Sequence, residues 1–417
     1  KSMNYSKVAL FVALCFGFVA TAQQKDYTQY VNPFIGTSNF GATHPGAIAP
    51  RGMASVSPFN VAGPQNVLEK DSRWLSNPYV NENTFLTGFS HLNMSGVGCP
   101  DLGVILSMPT TGELKTAHLE YGTTYKNEEA KPGYYSVDLD KYDVKTELTA
   151  STRVGVSRYS FPAGKANLLL NLGLSLTNDH GAMHKFNSPT EIEGYRMVGS
   201  FCYNNAESAY PVYFVARISE APQNFGIWDK PATYEGVEAQ WMGYNGKTRL
   251  KEQFMREVVG DSIGAYVQYD FEKPTQVVMK IGVSYVSIAN ARENLDKEVG
   301  DASFDEVYEQ TKKAWNDKLS VVEVEGDDED DKTIFFAGIY KAKQFCIVTR
   351  EATSNVGDIH DRQPVIIDKK DLNDYLNLKN DGVDFLHSYE APELKFHPVR
   401  KDVNIPTNNN ENLILPK

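Results

Sequence analysis

From about Asp26 to Val286, apolar and polar positions alternate over short runs, each ended by Gly, Pro, Asn or Asp. The two-residue period is plainest in Tyr134 to Leu139, Val144 to Thr149, Val154 to Phe161 and Val277 to Val283. A period of two places successive side chains on opposite faces, so each run predicts a strand with one buried face. So long a succession of short strands predicts a mainly β fold, a large antiparallel β-sandwich over residues 26–288. The period then lengthens. Ala291, Leu295, Val299, Phe304, Val307, Tyr308, Ala314 and Trp315 recur at helical offsets with charges between them. That spacing predicts two amphipathic helices within 289–334, packed across the sandwich or linking it to another domain. Past Gln344 the character shifts to a partial α+β remnant, 335–417, ending in an irregular Asn-rich stretch.

The segment before the first strand does not belong to the fold. Lys7 is followed by the apolar run Val8 to Val19 and the small-x-small site Ala20-Thr21-Ala22, the pattern of a signal peptide over residues 1–22. The run is too short to span a bilayer. The expectation is an exported protein, periplasmic or at the cell surface or secreted, with no membrane span. A net charge of -12 over 417 residues argues against sequence-independent binding to nucleic acid or anionic membrane. Outside the leader, Cys99, Cys202 and Cys346 are too widely spaced for a disulfide framework or a zinc site. The acidic run Asp327 to Asp331 lacks the alternating ligands of a calcium loop and reads as a solvated loop or helix start.

Two segments carry candidate chemistry. Tyr30 to Pro58 holds Gly36, Gly41, Gly46, Gly52, Pro33, Pro45, Pro50 and Pro58 together with Phe34, Phe40 and His44. Irregular backbone rich in rings suits a pocket wall, and equally suits an N-terminal strand with turns that close the sandwich. No Gly-Lys-Ser/Thr motif makes it a phosphate loop. In Thr87 to Pro109, His91, Asn93, Ser95, Cys99 and Asp101 stand among Gly96, Gly98 and Gly103, ahead of the apolar strand Val104 to Met108. Polar groups on a Gly-rich loop at a strand mouth suit the reading of sugar hydroxyls, with His91 the first candidate; the alternative is a histidine bonded within its own loop. Trp74 offers a flat face to a sugar ring, or fills a core.

These segments carry a resemblance. "VNPFIGT" and "HPGAIAPRGM", then "GFSHLNMSGVGCPDLG", closely resemble the opening motifs of glycoside hydrolase family 92. "TRVGVSRYSFP", "KIGVSYVSIANARENL" and "AWNDKLSVVEVEG" are similar to later landmarks in the same order. The resemblance implies a calcium-dependent, inverting exo-α-mannosidase built from an N-terminal β-sandwich and an (α/α)6 barrel. Inverting hydrolysis needs one carboxylic acid for the leaving oxygen and one carboxylate to activate water. In the family these groups and the calcium ligands come from the barrel, and the sandwich lines one wall of the mannose pocket. The positions matching that wall are Phe40, His44, Trp74, His91, Gly98 and Cys99, and the partners implied are α-mannose-terminated glycans. The resemblance ends near Phe336, before the barrel, so no catalytic carboxylate or metal ligand is assigned. The expectation is a chain inactive in hydrolysis that holds no calcium itself; the alternative is a glycan-binding module without catalysis.

The tail has its own resemblance. "FFAGIYKAKQFCIVTREATSNVGDIHDRQPVIID" looks like the C-terminal third of the SOS-response-associated peptidase family, whose members crosslink to abasic DNA. His360 matches that family's site histidine, while the matching cysteine nucleophile and glutamate fall in segments outside the resemblance. The two resemblances meet near Phe335 to Tyr340, which predicts a chimera of two fragments. A remnant of an abasic-site protein is therefore the alternative reading of the tail, with nucleic-acid binding not expected.

Overall fold

The alternation seen in the sequence becomes two stacked sheets. The computed structural model describes residues 25–38, 41–64, 77–96, 100–177, 179–199, 206–230 and 247–321, with the backbone of short strands at 338–341, 344–347, 349–351 and 362–364. Among the described residues, one sheet has eight strands. In spatial order they are β1 (Ala47–Ile48), β2 (Ser55–Pro58), β4 (Phe89–Asn93), β5 (Leu102–Thr111), β10 (Gly164–Asn171), β17 (Ile263–Phe271), β14 (Asn224–Asp229) and β15 (Arg249–Glu252). The other has ten. Its order is β16 (Val258–Gly260), β11 (Ala182–Ser188), β12 (Glu191–Val198), β13 (Tyr210–Ile218), β18 (Thr275–Ser284), β9 (Val154–Phe161), β8 (Val144–Ala150), β7 (Tyr134–Leu139), β6 (Thr123–Lys131) and β3 (Phe85–Leu86). Neighbouring strands pair antiparallel throughout. Leu168, Leu170, Tyr159, Phe161, Val277 and Ile281 are among the side chains of the core, and the Tyr159 hydroxyl donates to Ser107 Oγ at 2.7 Å from one sheet to the other.

One expectation is revised. Strands with a single buried face were predicted, yet β4 and β5 are buried nearly throughout. Their outer face is covered by connecting segments, where Phe59, Val61 and Val80 pack with Leu106, Leu174 and Leu176. A strand covered on both sides reads as a continuous apolar run, as Leu102 to Met108 does.

The predicted helices are Ile288–Glu298 and Phe304–Leu319; with the short turn of helix His118–Tyr121 as α1, they are α2 and α3. Both pack across the ten-stranded sheet. Ala291, Leu295, Val299, Phe304 and Val307 form one cluster with Val154, Val156 and Val215 of the strands beneath. Gly282 permits the approach of α2, since a Cβ there would stand 2.5 Å from the Ala291 carbonyl oxygen. Arg292 bridges Glu191 and Glu193, and Arg158 bridges Glu147 and Asp305. Ser303 and Glu306 close a capping box at the start of α3. Its last turns hold the N-terminal chain: Trp315 Nε1 donates to the Ile48 carbonyl at 2.6 Å, and Asn316 Oδ1 accepts from the Tyr27 amide at 2.7 Å.

The chain divides into two compact units, 1–322 and 323–417. In the second, the described residues make two antiparallel ladders: Gly338–Lys341 with Gln344–Ile347, and Thr349–Glu351 with Arg362–Pro364. The predicted signal peptide and the acidic run Asp327 to Asp331 lie outside the described residues.

Candidate functional site

The two Gly-rich segments singled out in the sequence meet at one end of the sandwich. The Gly96 amide donates to the Ala42 carbonyl. The Asn77 side chain donates to the Thr43 carbonyl at 2.8 Å, and the Asn81 amide to the Thr37 carbonyl at 2.9 Å. Residues 36–38, 41–46, 77–83 and 94–96 are thus tied into one rim by two backbone bonds and one side-chain amide. Asp101, buried, continues the rim by accepting from the amides of Leu102 (2.7 Å) and Gly199 (3.3 Å).

Behind the rim, Arg196 is 2% exposed. It donates to the carbonyls of Met197 (2.8 Å), Asp179 (2.9 Å) and Gly181 (3.2 Å) and to Ser175 Oγ (3.2 Å). One guanidinium thereby bonds carbonyls at the end of β12 and in the segment leading into β11. Desolvation lowers its pKa, and the charges of Asp261 and Asp179 oppose that shift.

Of the site residues expected from sequence, His44 and His91 fall among the described residues; Phe40, Trp74, Gly98, Cys99 and His360 lie outside them. His44 is half-buried on the rim and its Nδ1 accepts from the Gly46 amide at 3.2 Å. The acceptor role leaves the proton on Nε2, and desolvation pulls the imidazole down to about 4, so it is neutral near pH 7.

His91 is not on a loop. It lies in β4, 0% exposed, with Nδ1 at 2.8 Å from the Ile105 carbonyl. The ring fills the space between the sheets, where a Cβ on Gly155 would come within 2.8 Å of His91 Cδ2 and 2.5 Å of Val56 Cγ2. The Gly-rich neighbourhood suggested a loop; pairing with β5 makes it strand. The Ile105 backbone is left-handed (φ 58°), a cost for a β-branched residue. Since the carbonyl can only accept, Nδ1 carries the proton, and Nε2 is left without a partner in the core. Burial lowers this imidazole also to about 4. Replacement Gly155→Ala is expected to lower stability by about 1–3 kcal/mol through overpacking against this ring; an unchanged urea midpoint would show that the sheets part freely there.

The sequence reading missed Tyr210 and Tyr285. Both are about two-fifths exposed (40% and 43%) and pack edge to face, with centroids 5.7 Å apart. Strand register carries them to the rim, since Val198, next to Gly199, pairs with Tyr210, and Ser284 pairs with Tyr213. Their distance apart in sequence hid the pair; the available signal was an aromatic standing just beyond a strand end.

Carboxylates do not cluster here. Among the described residues no three of His, Cys, Asp and Glu stand close enough to hold a metal ion. No described helix is long and apolar enough to cross a membrane.

Residues 30–284 match the model of the glycosyl hydrolase family 92 N-terminal domain. The chain belongs to glycosyl hydrolase family 92. A family 92 α-mannosidase from Bacteroides thetaiotaomicron, solved with mannoimidazole, is 28% identical, with a TM-score of 0.59 over 73% of this chain and 38% of its own. A second family 92 structure is 27% identical with the same TM-score. An uncharacterized secreted glycosidase of Arthroderma benhamiae is 23% identical over 350 residues, 78% of this chain and 42% of that protein. This chain therefore spans roughly two-fifths of the length of these relatives. Residues 305–406 match the SOS response associated peptidase model. Abasic site processing protein YoqW of Bacillus subtilis is 38% identical over 72 residues, 16% of this chain and 32% of that protein. The second match begins inside α3, yet the described side chains of α3 pack on the sandwich. The chain is a carbohydrate-active protein of a glycosidase family.

Proposed function

We propose that this exported protein's residues 25–321 form the sugar-facing wall of an exo-α-mannosidase site that takes α-mannose-terminated glycans. The observation that carries this reading is the convergence of residues 36–38, 41–46, 77–83, 94–96 and Asp101 into one rim, with His44 and the exposed pair Tyr210 and Tyr285 on it. Neutral His44 presents an N–H to a hydroxyl, and tyrosine faces suit the apolar side of a sugar ring. The mannoimidazole-bound relative supports the choice of mannose.

Recognition, not proton transfer, is the role of this wall. Asp101 Oδ1 accepts from two backbone amides, and inverting hydrolysis needs a pair of carboxyl groups facing the scissile bond. The acid, the base and the calcium then come from the helical barrel that the family resemblance implies. Titration calorimetry with mannose and with α-mannobiose tests the proposal, alongside an assay for released mannose. Weak saturable binding, reduced in His44→Ala, and no hydrolysis are expected; a folded chain that ignores mannose would sink it.

For residues 323–417 the match to YoqW favours a second reading, a remnant of an abasic-site crosslinking protein carrying His360. Incubation with an abasic-site oligonucleotide and a denaturing gel test it; a covalent adduct supports a DNA role, and its absence removes that role.

A further inference from the structure

β6 contains a residue too many. From Lys126 to Glu129 it advances three positions while β7 goes from Asp138 to Ser136, two positions, and Asn127 in the bulge adopts a left-handed backbone (φ 55°). One extra residue inverts the parity of everything beyond it. Without the bulge Glu128 would share the outward face of Thr124 and Lys126; with it, Glu128 turns inward on the side of Tyr125.

There it meets tyrosines and no cation. Glu128 Oε1 accepts from the Tyr135 hydroxyl at 2.6 Å and Oε2 from the Tyr79 hydroxyl at 3.2 Å. Both tyrosines are 0% exposed. Among the described residues no Lys or Arg pairs with this carboxylate, and desolvation raises its pKa against the two hydroxyl bonds. A half-buried carboxylate without a counter-charge costs stability unless its bonds do something else.

Tyr79 belongs to the segment 77–83. Its neighbour Asn77 holds the Thr43 carbonyl, and Asn81 holds the Thr37 carbonyl. Beside it, Tyr125 of β6 donates to the Asn83 carbonyl at 2.6 Å. A continuous path therefore runs from the bulge, through one hydroxyl, to the rim that carries His44.

We infer that Glu128 is a positioning residue of the sugar-facing rim, acting through the Tyr79 hydroxyl to hold segment 77–83 and, through it, Thr37 and residues 41–46. Its meaning for mannose rests on the function proposed above; the mechanical coupling does not.

Hydrogen exchange of the full chain tests the coupling. The variants are Tyr79→Phe, which removes one oxygen, and Glu128→Gln, with Leu168→Ala as a comparator that weakens the core as a whole. Loss of one bond to a charged group predicts about tenfold or faster exchange in 41–46 and 77–83 for Tyr79→Phe, and a smaller rise in the same segments for Glu128→Gln, which keeps one acceptor, with β12 and β13 unchanged. Leu168→Ala accelerates all of these together. Loops as protected as wild type in both variants would overturn the inference, as would a rise no more local than that of Leu168→Ala. If Glu128→Gln does not fold, Tyr79→Phe decides the question alone. Mannose titration of the same samples separates the readings. Loosened loops with no mannose binding even in wild type leave Glu128 as a positioning residue and remove the sugar reading.

Discussion

Lowering the pH from 6.5 to 4 is expected to remove about 5 kcal/mol of folding stability through two core histidines, with a further loss through His44 on the rim. His91 and His184 are both 0% exposed, and burial lowers each imidazole from 6.5 to about 4. In the unfolded chain each takes up a proton near pH 6.5, while in the fold each stays neutral until about pH 4. The unfolded state therefore binds more protons throughout this window, so stability falls as pH falls and levels off below it. Desolvation outweighs the backbone carbonyls beside each ring, Ile105 and Phe89 for His91 and Gly264 for His184, so the imidazolium stays disfavoured. The paired carboxylates Glu147, Glu191 and Glu193 have lowered pKa values; their contribution is present above the unfolded value and is lost at still lower pH. Urea unfolding at pH 7, 5.5 and 4.5 measures the slope. His184→Leu is expected to remove about a third of it, and an unaltered slope in that variant would place the acid sensitivity elsewhere.

Asn60→Ala is expected to cost about 2–4 kcal/mol and to abolish mannose binding. Asn60 is 0% exposed. Its side chain accepts from the Val80 amide at 2.9 Å and donates to the Val80 carbonyl at 2.9 Å and to Tyr125 Oη at 2.8 Å. It thus stands in for a strand partner to a segment that has none. Truncation orphans the buried Val80 amide, at about 1–3 kcal/mol, and removes the bonds to Tyr125 and Asn83, at about 1 kcal/mol more; the Val80 carbonyl keeps the Asn83 amide. The same bonds set the height of segment 77–83 under Thr37 and Thr43, which is why binding should fall with stability. Chemical denaturation and mannose titration of the variant check the two effects separately. Retained affinity in a destabilised protein would mean that the rim does not need this anchor.

Particular residues show what was legible beforehand. Tyr134 to Leu139 and Val154 to Phe161 were predicted as strands, and both are strands with those bounds. The lengthening of the period after Ala289 marked α2 and α3. Phe89 to Asn93 was read as loop because glycines and polar residues surround it, and it is a strand because β2 and β5 flank it. The bulge at Asn127 was invisible, since nothing in "TTYKNEEAK" announces an extra residue.

The sequence by itself determined the mainly β class, the two helices, the family, and the two segments from which the rim is built. These depend on local period and local motif, which a linear chain carries in full. Tertiary structure alone decided that those segments meet, that Asn60 holds a segment in place of a strand partner, that Arg196 bonds carbonyls in the segment leading into β11, that His91 packs against Gly155, and that Glu128 faces Tyr79. Each of these joins residues far apart in the chain, and each depends on a register or a bulge, where a slip of one residue exchanges the two faces of a strand.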